Sequence, residues 1–210
     1  MFGARIRHFR QSTAIVLFCP LQPLLRVFVQ ALFMLTDLPN IIFSFSFFSI
    51  AGWGLEVSYR SIRDRRFVNP GLLMGPYLIL YGTAALTLSL CIFIIHDYNL
   101  LLKALFYCIV TTGLEFISGF NAQYFFNKKL WDYSDQRFQY KGHICLKFSI
   151  YWTILSLAFE YILLPPYLRL TDMLSIETKG LFGGIILLII MIDFFIFSLK
   201  KNVVKKEQIR

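Results

Sequence analysis

The chain has 210 residues, of which 57% are hydrophobic, 18% aromatic and 16% charged, with 23 Phe and a net charge of +9. Soluble domains carry about a quarter charged residues, so this composition excludes an ordinary soluble fold, and it has too much apolar surface to remain disordered. A membrane helix takes roughly 20 residues, so five or six spans with short loops consume the length and leave no room for a soluble catalytic domain.

Taken in chain order, residues 12–36 are apolar but carry Pro20, Gln22, Pro23, Arg26 and Gln30, each unfavourable in a lipid-facing helix. With Arg5, Arg7 and Arg10 ahead of it, the segment reads as a span, an interfacial stretch or a signal-like sequence without a small-residue cleavage site. Five further apolar runs, residues 41–58, 71–96, 100–126, 143–164 and 180–199, each read as a membrane span. The expected fold is an all-α polytopic transmembrane bundle of five spans, with the N-terminal sixth left open. Residues 1–40 form a basic N-terminal segment, 41–164 a four-span core, and 165–210 an outer loop, the last span and a basic tail.

Lys and Arg collect in cytoplasmic loops, so their placement orients the bundle. Arg60, Arg63, Arg65 and Arg66 follow the 41–58 run; Lys128, Lys129, Arg137 and Lys141 follow 100–126; Lys200, Lys201, Lys205, Lys206 and Arg210 close the chain. The opposite loops hold only Arg169 and Lys179, which puts the C-terminus in the cytoplasm. The cations are thus accounted for by topology and anionic headgroups, without nucleic acid. Cys19, Cys91, Cys108 and Cys145 have no CxxC spacing and read as reduced core residues, and His143 with Cys145 is too small a set for a metal site. No phosphate loop, GxGxxG, HExxH or GxSxG is present, so no metal, cofactor or catalytic residue is assigned and an ATPase, if one powers this chain, is a separate subunit.

Acidic residues within spans cost a few kcal/mol and face protein, a partner charge or water. Glu56, Glu115, Glu160 and Asp193 are such residues, Glu115 about 22 Å from the outer end of its helix at 1.5 Å per residue and Glu160 near the outer interface. Residues three or four apart share a helix face, giving Ser49, Gly52 and Glu56 one stripe; Gly71, Gly75, Gly82, Ala85 and Ser89 a second; and Thr111 or Thr112, Glu115, Ser118 or Gly119, and Gln123 a third. Such small-residue stripes let helix backbones approach closely. Arg60, Arg63, Arg66, Asn69 and Pro70 follow Glu56 at the same leaflet, Pro76 is placed in the first turns of the next helix, and Trp131, Asp132, Tyr133, Ser134 and Asp135 follow the helix that carries Glu115. Asp132 is expected to pair with one of the arginines and close the inner mouth of a pocket.

The run Phe47-Phe48-Ser49-Ile50-Ala51-Gly52-Trp53-Gly54-Leu55-Glu56-Val57, followed by Arg60-Ser61, Arg66-Phe67-Val68-Asn69, Gly71, Gly75-Pro76-Tyr77 and Tyr81-Gly82, resembles the opening of the bacterial CmpB-like family of putative ABC-transporter permeases. Glu115 with Gly119, then Trp131-Asp132-Tyr133-Ser134, Gly142, Cys145-Leu146, Ser149 and Trp152, is similar to the second half of that pattern, so the likeness covers about residues 43–155. The chain departs from it at Pro70, Leu78-Ile79-Leu80 and Gln139. The resemblance implies a compact multi-span protein of the bacterial cytoplasmic membrane. On it, the chain is expected to be a permease subunit for a solute or lipid-like substrate, partnered by the bilayer and a separate ATPase, as a homo- or hetero-oligomer. Glu56, Arg60, Arg66, Asn69, Tyr81, Glu115, Trp131, Asp132 and Tyr133 are the candidate pathway or pocket residues. Two other classes stay open: an enzyme acting on a lipid or prenyl phosphate at the inner leaflet, with arginines clamping phosphate, and a non-catalytic assembly or regulatory protein.

Overall fold

The computed structural model describes Leu35 and residues 37–207, with side chains through Lys200. The candidate first span, residues 12–36, lies outside the described residues except for Leu35. The architecture is mostly helical: α1 (Leu38–Asp64), α2 (Ile79–Ile95), α3 (Leu100–Phe126), α4 (Leu146–Ala158) continuing through a π-helical turn (Phe159–Leu163) into α5 (Leu164–Asp172), and α6 (Ile176–Glu207). A two-residue hairpin lies between α3 and α4, β1 (Gln139–Tyr140) antiparallel to β2 (Ile144–Cys145), with Gln139 opposite Cys145.

Among the described residues four helices are long and apolar enough to cross a membrane: Leu38–Asp64, Leu100–Phe126, Leu146–Asp172 and Ile176–Lys200. Four of the five expected runs are thus matched by length, and the fifth, 71–96, holds α2, a shorter apolar helix of 17 residues. The physical reason lies at its start. Residues 71–78 are apolar but contain Gly71, Gly75 and Pro76, and they run as non-helical chain until Leu78, whose extended backbone precedes the first turn. Pro76 consequently stands before the helix rather than in its first turns, and Gly71 and Gly75 do not belong to a helical stripe. The segment expected as an outer loop, 165–179, is helical apart from Met173–Ser175. Pro165 and Pro166 lack the N–H that an α-helix interior needs, and the π turn just before them supplies the local irregularity that lets the helix continue. Leu164, Tyr167, Leu168 and Thr171 then bury one face of α5.

The helices cross where side chains are smallest. A Cβ on Gly82 of α2 would lie 2.3 Å from Ser49 Oγ and 2.6 Å from the Phe45 carbonyl oxygen of α1. On the other side of α1, a Cβ on Gly183 of α6 would meet the Phe43 backbone at 2.7 Å, and Ser46 Oγ donates to the Gly183 carbonyl at 3.1 Å. Glycine is required at both positions because only a bare backbone permits this approach. Phe48, Leu88, Ile92, Tyr107, Phe159, Leu164 and Tyr167 fill the centre of the bundle. The large apolar side chains of α6, among them Leu181, Ile185, Leu188, Ile192 and Phe195, point outward, as in a helix whose outer face meets lipid.

Contacts along the helices fix which ends lie together. Arg60 near the end of α1 donates from Nη1 to the Leu130 carbonyl just after α3, while Lys179 at the start of α6 donates to Asn40 at the start of α1. The end of α1, the start of α2, the end of α3 and the far part of α6 thus share one end of the bundle. The starts of α1, α3 and α6 share the other with α5.

Candidate functional site

One face of α1 carries Ser49, Gly52 and Glu56, and it is turned toward α2. Gly52 lets Tyr81 lie directly against α1, since a Cβ there would fall 2.2 Å from Tyr81 Cβ. The tyrosine hydroxyl consequently reaches Glu56 and donates to Oε2 at 2.8 Å. Arg60, one turn on, donates from Nε to Glu56 Oε1 at 2.7 Å. Both oxygens of Glu56 are therefore held, in an i,i+4 ion pair that helix geometry alone makes available.

Tyr107, Thr111, Glu115, Gly119 and Ala122 form the buried face of α3. Glu115 is 2% exposed, and its Oε1 accepts from the Tyr133 hydroxyl at 2.9 Å. Its Oε2 is buried and makes no hydrogen bond among the described residues, although the Trp152 side chain stands close enough to the carboxyl to interact with it. Buried polar atoms are nearly always satisfied, so this oxygen has acceptor capacity left for a bound water or ligand.

Tyr133 arrives from the loop after α3, and the loop's own bonds aim it. Asp132 accepts from the Ser134 N–H at 3.0 Å and from its hydroxyl at 2.5 Å, and pairs with Lys129 at 2.7 Å. The Tyr133 N–H donates to the Gly142 carbonyl at 2.9 Å, and Gly142 has φ +71°, a conformation that glycine adopts without strain. Trp131 donates from its indole N–H to the His143 carbonyl at 2.8 Å, and Gly119 leaves room beneath both rings. Lys129 first, then Ser134, hold the Asp132 carboxyl well below the usual carboxylate range, while burial beside Glu115 pushes the Tyr133 phenol up. Tyr133 is thus a neutral donor to Glu115.

These groups line a cavity of about 560 Å³ between α1, α2, α3 and α4. Glu56, Arg60, Tyr81, Glu115, Trp131, Tyr133 and Trp152 are among its polar and aromatic lining, with Thr83, Ser118 and Asn121 as further polar groups. Leu55, Tyr81, Trp152 and Leu155 also border a second, apolar cavity of about 420 Å³, lined by Phe47, Phe48, Ala84, Ala85, Leu88 and Phe159. The two share a wall, with polar groups at one side and hydrocarbon at the other.

The 69–78 segment forms part of the first cavity through Pro70, Leu72, Leu73, Tyr77 and Leu78. It is tied to α6 by one carboxylate: Asp193 Oδ2 accepts from the Met74 N–H at 2.9 Å, the Gly75 N–H at 2.9 Å and the Tyr77 hydroxyl at 2.6 Å. Asp193 stands about 10 Å before Lys200 along the helix, at 1.5 Å per residue. Non-helical backbone at membrane depth is tolerated only where protein or water satisfies it, and Asp193 does so here.

Of the residues picked out from sequence, Glu56, Arg60, Tyr81, Glu115, Trp131 and Tyr133 come together on the cavity wall. Asp132 is exposed, and its cation is Lys129 rather than an arginine, so it orients the loop without lining the cavity. Asn69 is exposed and accepts from the Trp53 indole at 3.0 Å and the Gly71 N–H at 3.3 Å, shaping the turn into the 69–78 segment. Arg66 is exposed and outside the cavity. Trp152 belongs to the family-like pattern but is not among the candidate site residues, since it carries no charge to draw attention, and sequence reasoning missed Lys103. Glu160, expected near the interface, is 4% exposed inside the opposite end of the bundle, where Lys103 Nζ meets Oε1 at 2.5 Å and Tyr107 donates to Oε2 at 2.6 Å.

A family model described as "Putative ABC-transporter type IV" matches residues 43–198, from the sixth residue of α1 into the last turns of α6. The match extends beyond the 43–155 that the sequence motifs marked out. No solved structure matches the chain.

Proposed function

The chain belongs to this family, putative ABC-transporter type IV, and from that premise we propose that it is the membrane-embedded permease subunit of a transporter for an amphipathic, lipid-like substrate. The observation that carries this reading is a pair of adjacent cavities that share Leu55, Tyr81, Trp152 and Leu155, one walled by Glu56, Arg60, Tyr81, Glu115 and Tyr133 and the other by hydrocarbon. A mixed wall of this kind suits a molecule with a polar head and an apolar tail. Glu56 is spent on Arg60 and Tyr81, so it sets the shape of the head pocket, whereas Glu115 has an oxygen to offer.

In this reading α2 is the fifth crossing. The ends of α1 and α3 that lie together require the chain to return across the bundle between Asp64 and Leu100. At 1.5 Å per residue its 17 residues rise about 25 Å, short of a hydrocarbon core of about 30 Å, and the 69–78 segment on Asp193 supplies the remainder. The loops rich in Lys and Arg then lie in the cytoplasm with the C-terminus, and a separate ATPase docks there. The phosphate-clamping enzyme reading loses support from the arginines: Arg60 is committed through Nε and Nη1, and Arg66 stands outside the cavity.

The test is purification in mild detergent with mass spectrometry of copurifying proteins and lipids. A stoichiometric ATPase together with a bound amphiphile is the expected result. A partner that is not an ATPase, with no lipid retained, would make this an assembly protein and overturn the proposal.

A further inference from the structure

Glu115 Oε2 is the one polar atom of the cavity wall that is both buried and unpartnered, in a residue 2% exposed. A buried carboxylate left without a partner is costly, and an apolar or anionic occupant would leave it so. A head that ends in a phosphate or carboxylate, with no cation beyond it, would be repelled by Glu115 and would find Arg60 already bound to Glu56 and the Leu130 carbonyl. An ammonium supplies both the opposite charge and N–H donors, and the rings of Tyr81, Trp131, Tyr133 and Trp152 around the same space offer faces that attract cations. A quaternary ammonium has no N–H to give to Oε2, so the number of protons on the nitrogen matters.

Resting on the reading that this cavity admits an amphiphile, we infer that its ligand carries a primary ammonium, seated on Glu115 Oε2 among the aromatic rings, with one hydrocarbon tail running past Leu155 into the Phe48–Phe159 cavity. Two sources present this chemistry: an aminophospholipid such as phosphatidylethanolamine, and a free long-chain amine. The ammonium also explains why Glu56 is neutralised by its own arginine while Glu115 is not. The first keeps the pocket from holding two open carboxylates; the second is the recognition group.

The experiment uses the full chain in detergent and measures the thermal midpoint and native-mass retention with phosphatidylethanolamine, phosphatidylcholine, phosphatidylglycerol, dodecylamine and dodecanol. Phosphatidylethanolamine is expected to bind about tenfold more tightly than phosphatidylcholine, and dodecylamine about tenfold more tightly than dodecanol, as one charge-assisted hydrogen bond provides. Glu115→Gln should abolish both preferences; the wild-type comparisons of phosphatidylethanolamine with phosphatidylcholine and of dodecylamine with dodecanol decide even if that variant fails to fold. Preference for only one of the two amines identifies the source. Equal binding within both pairs, phosphatidylethanolamine with phosphatidylcholine and dodecylamine with dodecanol, or tightest binding of phosphatidylglycerol, overturns the inference. In that case brominated-chain phosphatidylcholine separates the two levels: quenching that Trp152→Phe removes leaves the amphiphile reading standing, and no quenching sinks both.

Discussion

Lys103→Met breaks the most deeply buried ion pair among the described residues. Lys103 and Glu160 are 3% and 4% exposed, their charged atoms are 2.5 Å apart, and Tyr107 and Tyr161 complete the cluster at 2.6 and 3.3 Å. Removing one partner of such a pair typically costs about 3–5 kcal/mol, because a charge remains buried without compensation. Lys103→Met should therefore destabilise by that amount, and Glu160→Gln by a similar or slightly smaller one since Gln keeps an acceptor for Tyr107. The double variant should be less destabilised than the sum of the two by about 2 kcal/mol or more, the signature of directly interacting groups. Thermal unfolding in a single detergent, followed by loss of helical circular dichroism, measures all four proteins. Additive effects, or a Lys103→Met loss below about 1 kcal/mol, would refute the view that this pair is buried and mutually dependent.

Asp193→Ala removes the acceptor shared by Met74, Gly75 and Tyr77, so limited proteolysis should cut the 69–78 segment several-fold faster, with Asp193→Asn in between; unchanged cutting would contradict the anchoring. Gly82→Leu should lower stability by more than the roughly 1–3 kcal/mol of ordinary overpacking, since its Cβ has no space, whereas Gly113→Ala, with nothing within 4 Å of the added carbon, should stay within about 1 kcal/mol of wild type in the same unfolding assay. The depressed Asp132 carboxyl contributes stability that is present above the unfolded value of about 3.9 and lost as pH falls through the lower folded value. Trp131 emission, read as the difference between wild type and Trp131→Phe, should accordingly stay constant from pH 7 to about 4; a transition near pH 5 would mean that the Asp132 turn is held otherwise.

Much of the bundle is legible from hydropathy because α1, α3 and α6 are long, unbroken apolar runs whose ends carry cations. The start of α2 is not, since the 71–78 stretch is as apolar as a helix yet contains Gly71, Gly75 and Pro76. Its backbone is satisfied by Asp193, more than a hundred residues away, and no local pattern announces such a partner. Glu56 and Arg60 pair at helical spacing and can be read directly. Glu115 could be flagged by its cost in a span, but the oxygen left open depends on where Tyr133 lands, which the Asp132 turn and the hairpin decide. Lys103 was hidden by a long apolar run, and Glu160 by its position near a helix end. Each becomes intelligible only once α3 and α4 are packed together.

The central claim is that an amphiphile occupies the space between Glu115 and Phe159. A phospholipid bearing a diazirine in its acyl chain, photolysed with the protein in native membranes and followed by peptide mapping, tests it most directly. Adducts should concentrate on Leu55, Tyr81, Trp152 and Leu155, the residues that border both cavities, and should fall when excess unlabelled amphiphile competes. Adducts confined to the outward face of α6, at Leu181, Leu188 and Phe195, with none in the cavities, would contradict it.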